Sequence, residues 1–295
     1  MAKQELRSLI VVPLVLLIAA GIAWAGSQGS VTAFGIPLFA LCVGLAFLIQ
    51  WIAFIPAYIY KTEKFYDLTG SFTYFTVMIA AVILSPVPDT RVILLLALIL
   101  VWAARLGTYL FSRIQAEGED RRFREIKKSF SRFLAAWTIQ GLWVVFALAA
   151  ALAAITTTTR VPLGAFALVG ALVWLAGFSI EVIADRQKSQ FRSNPGNKGK
   201  FINTGLWAWS RHPNYFGEIV LWVGIAIIAL PLLSGWTWLM LISPVFTFIL
   251  LTRISGVPLL EKRADEKWGG QADYEAYKAN TSVLIPLPPS NSAKE

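Results

Sequence analysis

The residues best suited to chemistry are gathered in one short stretch, WAWSRHPNYFGEIV, at positions 207–220. It places the chain's single histidine, His212, beside Arg211, Asn214 and Glu218, where an apolar segment begins. Zinc takes three or four side-chain ligands, so one histidine and one distant cysteine do not indicate a metal site. No serine stands in the G-x-S-x-G setting of a nucleophile elbow. The stretch instead favours recognition of a phosphate or an amide by hydrogen bonds.

The residues that precede this stretch carry the positive charge that an anionic ligand needs. Six basic residues fall in 181–218: Arg186, Lys188, Arg192, Lys198, Lys200 and Arg211. Arginine offers paired donors to phosphate, and the free N–H groups at the start of the next helix favour negative charge. Pro213 fits the first turn of that helix, where its missing N–H would be unpaired anyway. We predict a cofactor-binding loop at 185–213; a long loop that only sets membrane topology is the alternative.

The elements that must position these residues are membrane helices. Hydrophobic residues make up 57% of the chain, charged residues 15%, and the mean hydropathy is +0.63. A soluble chain is about 45–50% apolar and about 25% charged. Apolar runs near 20 residues recur, which is the length that crosses a bilayer. We predict an all-α, polytopic membrane helix bundle of about eight transmembrane helices, at 8–26, 36–60, 71–86, 91–112, 133–155, 161–184, 214–233 and 236–254.

The net charge of +9 lies mainly in alternate connections between these spans. That distribution follows the positive-inside rule, so it predicts both termini on the cytoplasmic side and no nucleic-acid partner. We expect a multi-pass protein of the bacterial inner membrane whose partners are the lipid bilayer and a hydrophobic small molecule. The chain is predicted to be one membrane domain over 1–295, with a first span and outer loop at 1–35, the bundle at 36–254 and a cytoplasmic tail at 255–295.

Several spans contain polar side chains that lipid does not tolerate well: Gln50, Arg105, Gln140, Glu181, Asp185, Glu218 and Arg253. Such groups are costly within a membrane and mark candidate functional positions. Under the predicted topology all except Gln50 and Gln140 lie in the cytoplasmic half of the bilayer or at that interface, and these two lie about 10–15 Å from the cytoplasmic ends of their spans. Together the seven predict a polar cavity open to the cytoplasm. For any one of them, snorkelling or a hydrogen bond between helices is the alternative.

Three motifs carry a resemblance to a known family. They are EKFYDLTGS at 63–71, the region from Asp185 to Trp222 that contains RHPNYFGE, and ADYEAYKANTSVLIPLPP in the tail. Over about 45–288 the chain resembles the steroid 5α-reductase superfamily, and most closely its bacterial branch, the domain-of-unknown-function 1295 family.

The resemblance implies a membrane reductase that takes NADPH from the cytoplasm and delivers hydride to a C=C bond conjugated to a carbonyl in a lipid or steroid-like substrate. By the same resemblance, Asn214 and Glu218 contact the nicotinamide end, while Asp185 and Arg192 contact adenosine and phosphate, and Arg253 contacts phosphate. The remaining residues assigned to the cofactor are Lys188, Asn203, Arg211, His212, Tyr215 and Trp222.

The catalytic side departs from the family pattern. Steroid reductases of the family polarise the substrate carbonyl with a Gln-Glu pair in the second span and a tyrosine in the following polar span. Here the second span offers only Gln50, and Trp102 stands where that tyrosine is expected. Tyr66 and Tyr109 are the nearest phenols, so we assign catalysis to Gln50, Tyr66 and Tyr109. The substrate pocket is assigned to Trp102, Arg105 and Gln140.

Two other functions stay open at this point. RHPNYFGE and the later Glu261, Tyr274 and Tyr277 also resemble isoprenylcysteine and phospholipid methyltransferases, which bind S-adenosylmethionine. That cofactor is cationic and has no phosphate, so it would not need the basic loop. A membrane protein that uses the same pocket only for binding is the third possibility.

Overall fold

The computed structural model describes residues 2–86, 88–117, 120 and 123–288, which are mainly helical. The α-helices are α1 Ala2–Gly26, α2 Leu38–Ile59, α3 Tyr66–Leu84, α4 Thr90–Glu117, α5 Phe130–Thr156, α6 Ala165–Ser193, α7 Pro213–Ala229, α8 Ile242–Ile249, α9 Val257–Trp268 and α10 Ala272–Asn280. Two-residue strands, β1 Thr32–Ala33 and β2 Ile36–Pro37, pair antiparallel between α1 and α2.

Within the described residues, eight helical segments are long and apolar enough to cross a membrane. This confirms the predicted all-α, multi-span architecture, and the protein is an integral multi-pass membrane protein. The cytoplasmic placement of the two termini stays a prediction.

The predicted end of the sixth span is wrong. Helix α6 continues to Ser193, nine residues beyond the predicted end at 184, so the loop before α7 is 194–212 and not 185–213. After Glu181 the sequence becomes polar, but no proline or glycine interrupts the helix until Pro195. The drop in hydropathy therefore marks where the chain leaves the apolar layer and not where the helix ends. The last span, predicted as 236–254, consists of a 3₁₀ segment Gly235–Leu241, helix α8 and a π-helical turn Leu250–Ile254.

The chain divides into two compact units, and the prediction of one continuous domain stays a prediction. The first unit, Met1–Ala167 with Ile228–Ser243, is built around α5, whose alanine-rich part is almost fully buried. Small side chains let helices in lipid approach closely. At one end of this unit the buried Arg91 donates to the backbone carbonyls of Ile228 (2.7 Å) and Pro162 (2.8 Å). Arg91 thereby gives hydrogen-bond donors to one carbonyl near the end of α7 and to one in the segment before α6.

The second unit comprises Leu168–Ile227 and Pro244–Glu295. Its helices α6 and α7 pack at glycines, because a Cβ added to Gly217 would meet the backbone of Gly177 and Glu181, and one added to Gly177 would meet the backbone of Leu221. Close backbone approach of this kind is the usual role of small residues between membrane helices. The packing fixes the ends of α6 and α7 that carry the candidate cofactor residues.

Candidate functional site

The segment that leads into α7 is held against the end of α6. Gly205 has a φ of 62°, a backbone conformation that favours glycine, and a Cβ there would displace the end of the Gln187 side chain. The Gln187 side chain accepts a hydrogen bond from the Leu206 N–H (3.0 Å). The indole of the buried Trp207 donates to the carbonyl of Ala184 (3.0 Å). These contacts position the turn immediately before Arg211 and His212.

Residues 277–287 form a strap over the same turn. The N–H of Arg211 donates to Ser282 O (2.8 Å), and the N–H of Leu287 donates to Trp209 O (3.0 Å). The Ser210 hydroxyl donates to the carbonyl of Leu284 (2.8 Å). The Tyr277 hydroxyl donates to Trp207 O at 2.7 Å, and burial raises the pKa of this phenol well above its usual range. The tail is therefore part of the site.

His212 and Arg211 share one carboxylate. Glu261, on α9, accepts from His212 Nε2 (2.8 Å) and from Arg211 Nη1 (3.0 Å). The His212 ring also stacks on Tyr215, with centroids 5.7 Å apart. Burial lowers the pKa of His212, although the hydrogen bond to Glu261 acts in the opposite direction. In the neutral ring, the hydrogen on Nε2 faces the Glu261 carboxylate and an acceptor lone pair stands on Nδ1.

Asn214 sits in the first turn of α7 and is oriented by Asp185 of α6. Its Nδ2 donates to the Asp185 carboxylate (3.1 Å), so the amide carbonyl points the other way. Among the described residues, no hydrogen-bond partner is found for three buried atoms of this segment: Asn214 Oδ1, His212 Nδ1 and Arg211 Nε. Two acceptors and one cationic donor fit a ligand that bears both amide hydrogens and anionic oxygens.

The other predicted cofactor residues are distributed unevenly over this unit. Trp222 is buried on α7, and Lys188 places its Nζ 4.4 Å from the ring centre of Trp207. Glu218 is half-buried, one turn after Asn214. The exposed members of the predicted set are Arg192, Asn203 and Arg253. Arg253 lies in the π-helical turn, a feature that often occurs at functional positions.

The polar residues predicted for catalysis and substrate lie in the first unit. Gln50 donates to the Thr73 hydroxyl (2.8 Å), and Gln140 donates to the carbonyl of Tyr66 (2.9 Å). The Tyr66 hydroxyl itself donates to Ala136 O (2.9 Å).

Tyr66 also belongs to a buried aromatic cluster with Phe123, Phe133 and Trp137. Its hydrogen is therefore committed to the backbone, which suits a structural role better than proton donation.

Tyr109 is half-buried beside Arg105, whose guanidinium carbon lies 5.2 Å from the ring centre. Trp102 packs edge-to-face with Tyr74, with centroids 5.1 Å apart. Sequence reasoning missed Tyr74 and Thr73, because neither interrupts the apolar pattern of α3. It also missed the pairing of Glu261 with His212, since the two residues are 49 positions apart.

No group of three His, Cys, Asp or Glu side chains that could hold a metal ion occurs in the part of the chain that the structure describes.

Comparison with protein families matches residues 53–281 to the family described as Protein of unknown function (DUF1295). Two similar proteins are both named 3-oxo-5-alpha-steroid 4-dehydrogenase 1.

The protein from Bos taurus is 31% identical over 122 residues, which cover 41% of this chain and 41% of the relative. The protein from Macaca fascicularis is 32% identical over 121 residues, which cover 41% of this chain and 40% of the relative. The match thus spans about two fifths of the length of these relatives. No solved structure matches the chain.

Proposed function

We propose that this chain, which belongs to the DUF1295 family of proteins of unknown function, is a membrane-embedded NADPH-dependent reductase. The reaction is reduction of a C=C bond conjugated to a carbonyl in a hydrophobic, lipid or steroid-like molecule. The two similar proteins named 3-oxo-5-alpha-steroid 4-dehydrogenase 1 support this class of reaction. The membrane is proposed to be the bacterial inner membrane.

The orientation of the Asn214 amide carries this proposal. Because its nitrogen is held by Asp185, its buried oxygen is left as an acceptor in the first turn of α7. A nicotinamide carboxamide ends in an NH₂ group, which such an oxygen would bind. Glu218 follows one turn later and is assigned to the same end of the cofactor.

The phosphate groups of NADPH are assigned to the basic side chains of this unit. Arg211 retains a buried Nε–H without a partner in the described region, while Lys188, Arg192 and Arg253 add positive charge. His212 contributes an acceptor at Nδ1, and Glu261 holds both His212 and Arg211 in position. When bound, NADPH would supply the hydride.

The substrate carbonyl needs a hydrogen-bond donor that gives up a proton as the double bond is reduced. We assign this role to Tyr109, one of the two phenols assigned from sequence, which lies half-buried beside the Arg105 guanidinium. Trp102 and Arg105 stay assigned to the substrate pocket.

Ligand-dependent stability tests the proposal. Purified protein in detergent is heated with NADPH or with S-adenosylmethionine, each at a hundredfold excess over its dissociation constant. The expected gain with NADPH is about 2.7 kcal/mol in the free energy of unfolding. Stabilisation by S-adenosylmethionine and not by NADPH would replace the reductase by a methyltransferase. Asn214→Ala should abolish the gain while the half-buried control Asn280→Ala, in the last turn of α10, keeps it.

A further inference from the structure

Two glutamines inside the first unit have side-chain orientations fixed by their neighbours. The Thr73 hydroxyl donates its hydrogen to the carbonyl of Thr69 (2.7 Å), so it can only accept from Gln50. The Gln50 nitrogen must therefore face Thr73, at 2.8 Å. Consequently the Gln50 carbonyl oxygen points elsewhere, and this fully buried atom has no hydrogen-bond partner among the described residues.

Gln140 is fixed in the same way by a different partner. Its nitrogen lies 2.9 Å from the Tyr66 carbonyl, which is an acceptor only, so the amide cannot be reversed. Gly70 makes room for this contact, because a Cβ there would fall on the Gln140 nitrogen. The Gln140 oxygen is also buried and lacks a partner in the described part of the chain.

The two amides lie along one stripe of α3. Gln140 approaches Tyr66 and Gly70, and Gln50 approaches Thr73, which follow each other at helical spacings of four and three residues. Three residues correspond to about 4.5 Å along a helix axis. Gln50 on α2 and Gln140 on α5 thus place two buried amide groups along one stripe of α3, each with a carbonyl oxygen that has no partner among the described residues.

Unpartnered buried acceptors need a hydrogen-bond donor. Two oxygens are too few for a bound cation such as calcium, which takes six to eight. A ligand carbonyl could use a remaining amide N–H but would leave both oxygens without a hydrogen. A hydroxyl group can donate its one hydrogen to one amide oxygen and accept from the N–H of the other amide, so it leaves one oxygen without a hydrogen where a carbonyl leaves two.

We propose that Gln50 and Gln140 form a binding site for the hydroxyl group of a hydrophobic alcohol. This inference rests on the proposed function in one respect, namely that the first unit receives a lipid substrate. It changes the role of Gln50 from activation of a carbonyl to recognition of an alcohol. The substrate class becomes an enone lipid that carries a hydroxyl group away from its reactive carbonyl.

Matched alcohol and carbonyl probes test the site. Equilibrium binding of radiolabelled testosterone and androstenedione, which carry an alcohol and a ketone at the same carbon, is measured on protein in nanodiscs, with empty nanodiscs subtracted. Farnesol and farnesal form a second pair on an unrelated skeleton. NADPH is left out, so the result does not depend on whether the protein is a reductase.

The alcohol of at least one pair is expected to bind about tenfold more tightly, equivalent to about 1.4 kcal/mol. Gln140→Leu should bring the ratio close to one. Gly70→Ala should do the same without removing a polar group, because its methyl group displaces only the end of the flexible Gln140 side chain. The matched control is Gly44→Ala on α2, where an added Cβ meets nothing within 4 Å and the ratio should persist.

Three results would overturn the proposal. One is equal binding of alcohol and carbonyl in both pairs, as expected if only water occupies the site. Another is no binding of either alcohol above the empty nanodiscs. The last is a preference for alcohol that survives both Gln140→Leu and Gly70→Ala. Failure of NADPH to bind in the separate stability assay would remove the proposed reductase and leave an alcohol preference intact.

Discussion

The contact between His212 and Glu261 can be tested by NMR without ambiguity of assignment, because His212 is the only histidine in the chain. The perturbations are Glu261→Ala and Glu261→Gln. The first removes both hydrogen bonds that Glu261 accepts, and the second keeps an acceptor oxygen but removes the negative charge.

The expected loss of stability follows from the burial of the Glu261 side chain and from the number of its hydrogen-bond partners. Removing one partner of a buried ion pair costs about 3–5 kcal/mol. The Glu261 side chain is 23% exposed, so it retains some hydration in the folded state. We therefore expect Glu261→Ala to lower the free energy of unfolding by about 3 kcal/mol, at the low end of that range. Glu261→Gln should cost about 1–2 kcal/mol, the loss of a charge-assisted hydrogen bond.

The same contact sets a pH dependence. Burial lowers the pKa of His212, so the unfolded chain binds its proton at a higher pH than the folded protein does. The stability that goes with the neutral ring is present above an unfolded-state pKa of about 6.5 and decreases as the pH falls towards the lower folded-state value. Glu261→Gln removes the influence that raises the pKa of His212, so the pKa should fall further.

Nitrogen NMR of ¹⁵N-histidine-labelled protein, with any affinity tag removed, reports the state of this ring. At pH 7 we expect the neutral form with hydrogen on Nε2. A neutral ring with hydrogen on Nδ1 would refute the assigned geometry, and a charged ring at pH 7 would contradict the lowered pKa of His212. The matched control is Glu266→Gln on the same helix, where the 64% exposed side chain lies 4.0 Å from Lys262. That pair is worth about 0–1 kcal/mol.

Three further variants test the frame around the site by denaturant-induced unfolding in detergent. Arg91→Met leaves two carbonyls that were bonded at 2.7 and 2.8 Å without donors, so a loss of about 3 kcal/mol is expected; a loss below about 0.5 would contradict this role. Gly217→Ala drives a methyl group into the backbone of Gly177 and should cost about 1–3 kcal/mol, while Gly44→Ala should not destabilise. Tyr277→Phe removes a 2.7 Å bond and should cost about 1 kcal/mol and weaken NADPH binding; unchanged affinity would remove the strap from the site.

Much of the fold could be predicted from the sequence, because the membrane restricts the choices. An apolar run must be a helix that satisfies its own backbone, so eight runs predict eight spans. The start of α7 was also predictable, since Pro213 fits a first helical turn. The end of α6 was not predictable from hydropathy, because the residues beyond Glu181 are polar and yet continue the helix to Ser193.

The site could be predicted only in part. His212 was identified as a hydrogen-bond partner, but its carboxylate Glu261 lies on a helix that sequence spacing does not bring near it. Gln50 and Gln140 were identified as costly polar residues. Their orientation depends on which neighbour donates and which accepts, and that is set by Thr73 and the Tyr66 carbonyl after folding.

The measurement that bears most directly on the proposed reductase is native mass spectrometry of the nucleotide that binds the purified protein. We expect the native protein to form a complex with NADPH that is detected in this measurement and that is lost in Asn214→Ala. A complex with S-adenosylmethionine in place of NADPH, or NADPH binding unaffected by Asn214→Ala, would contradict it.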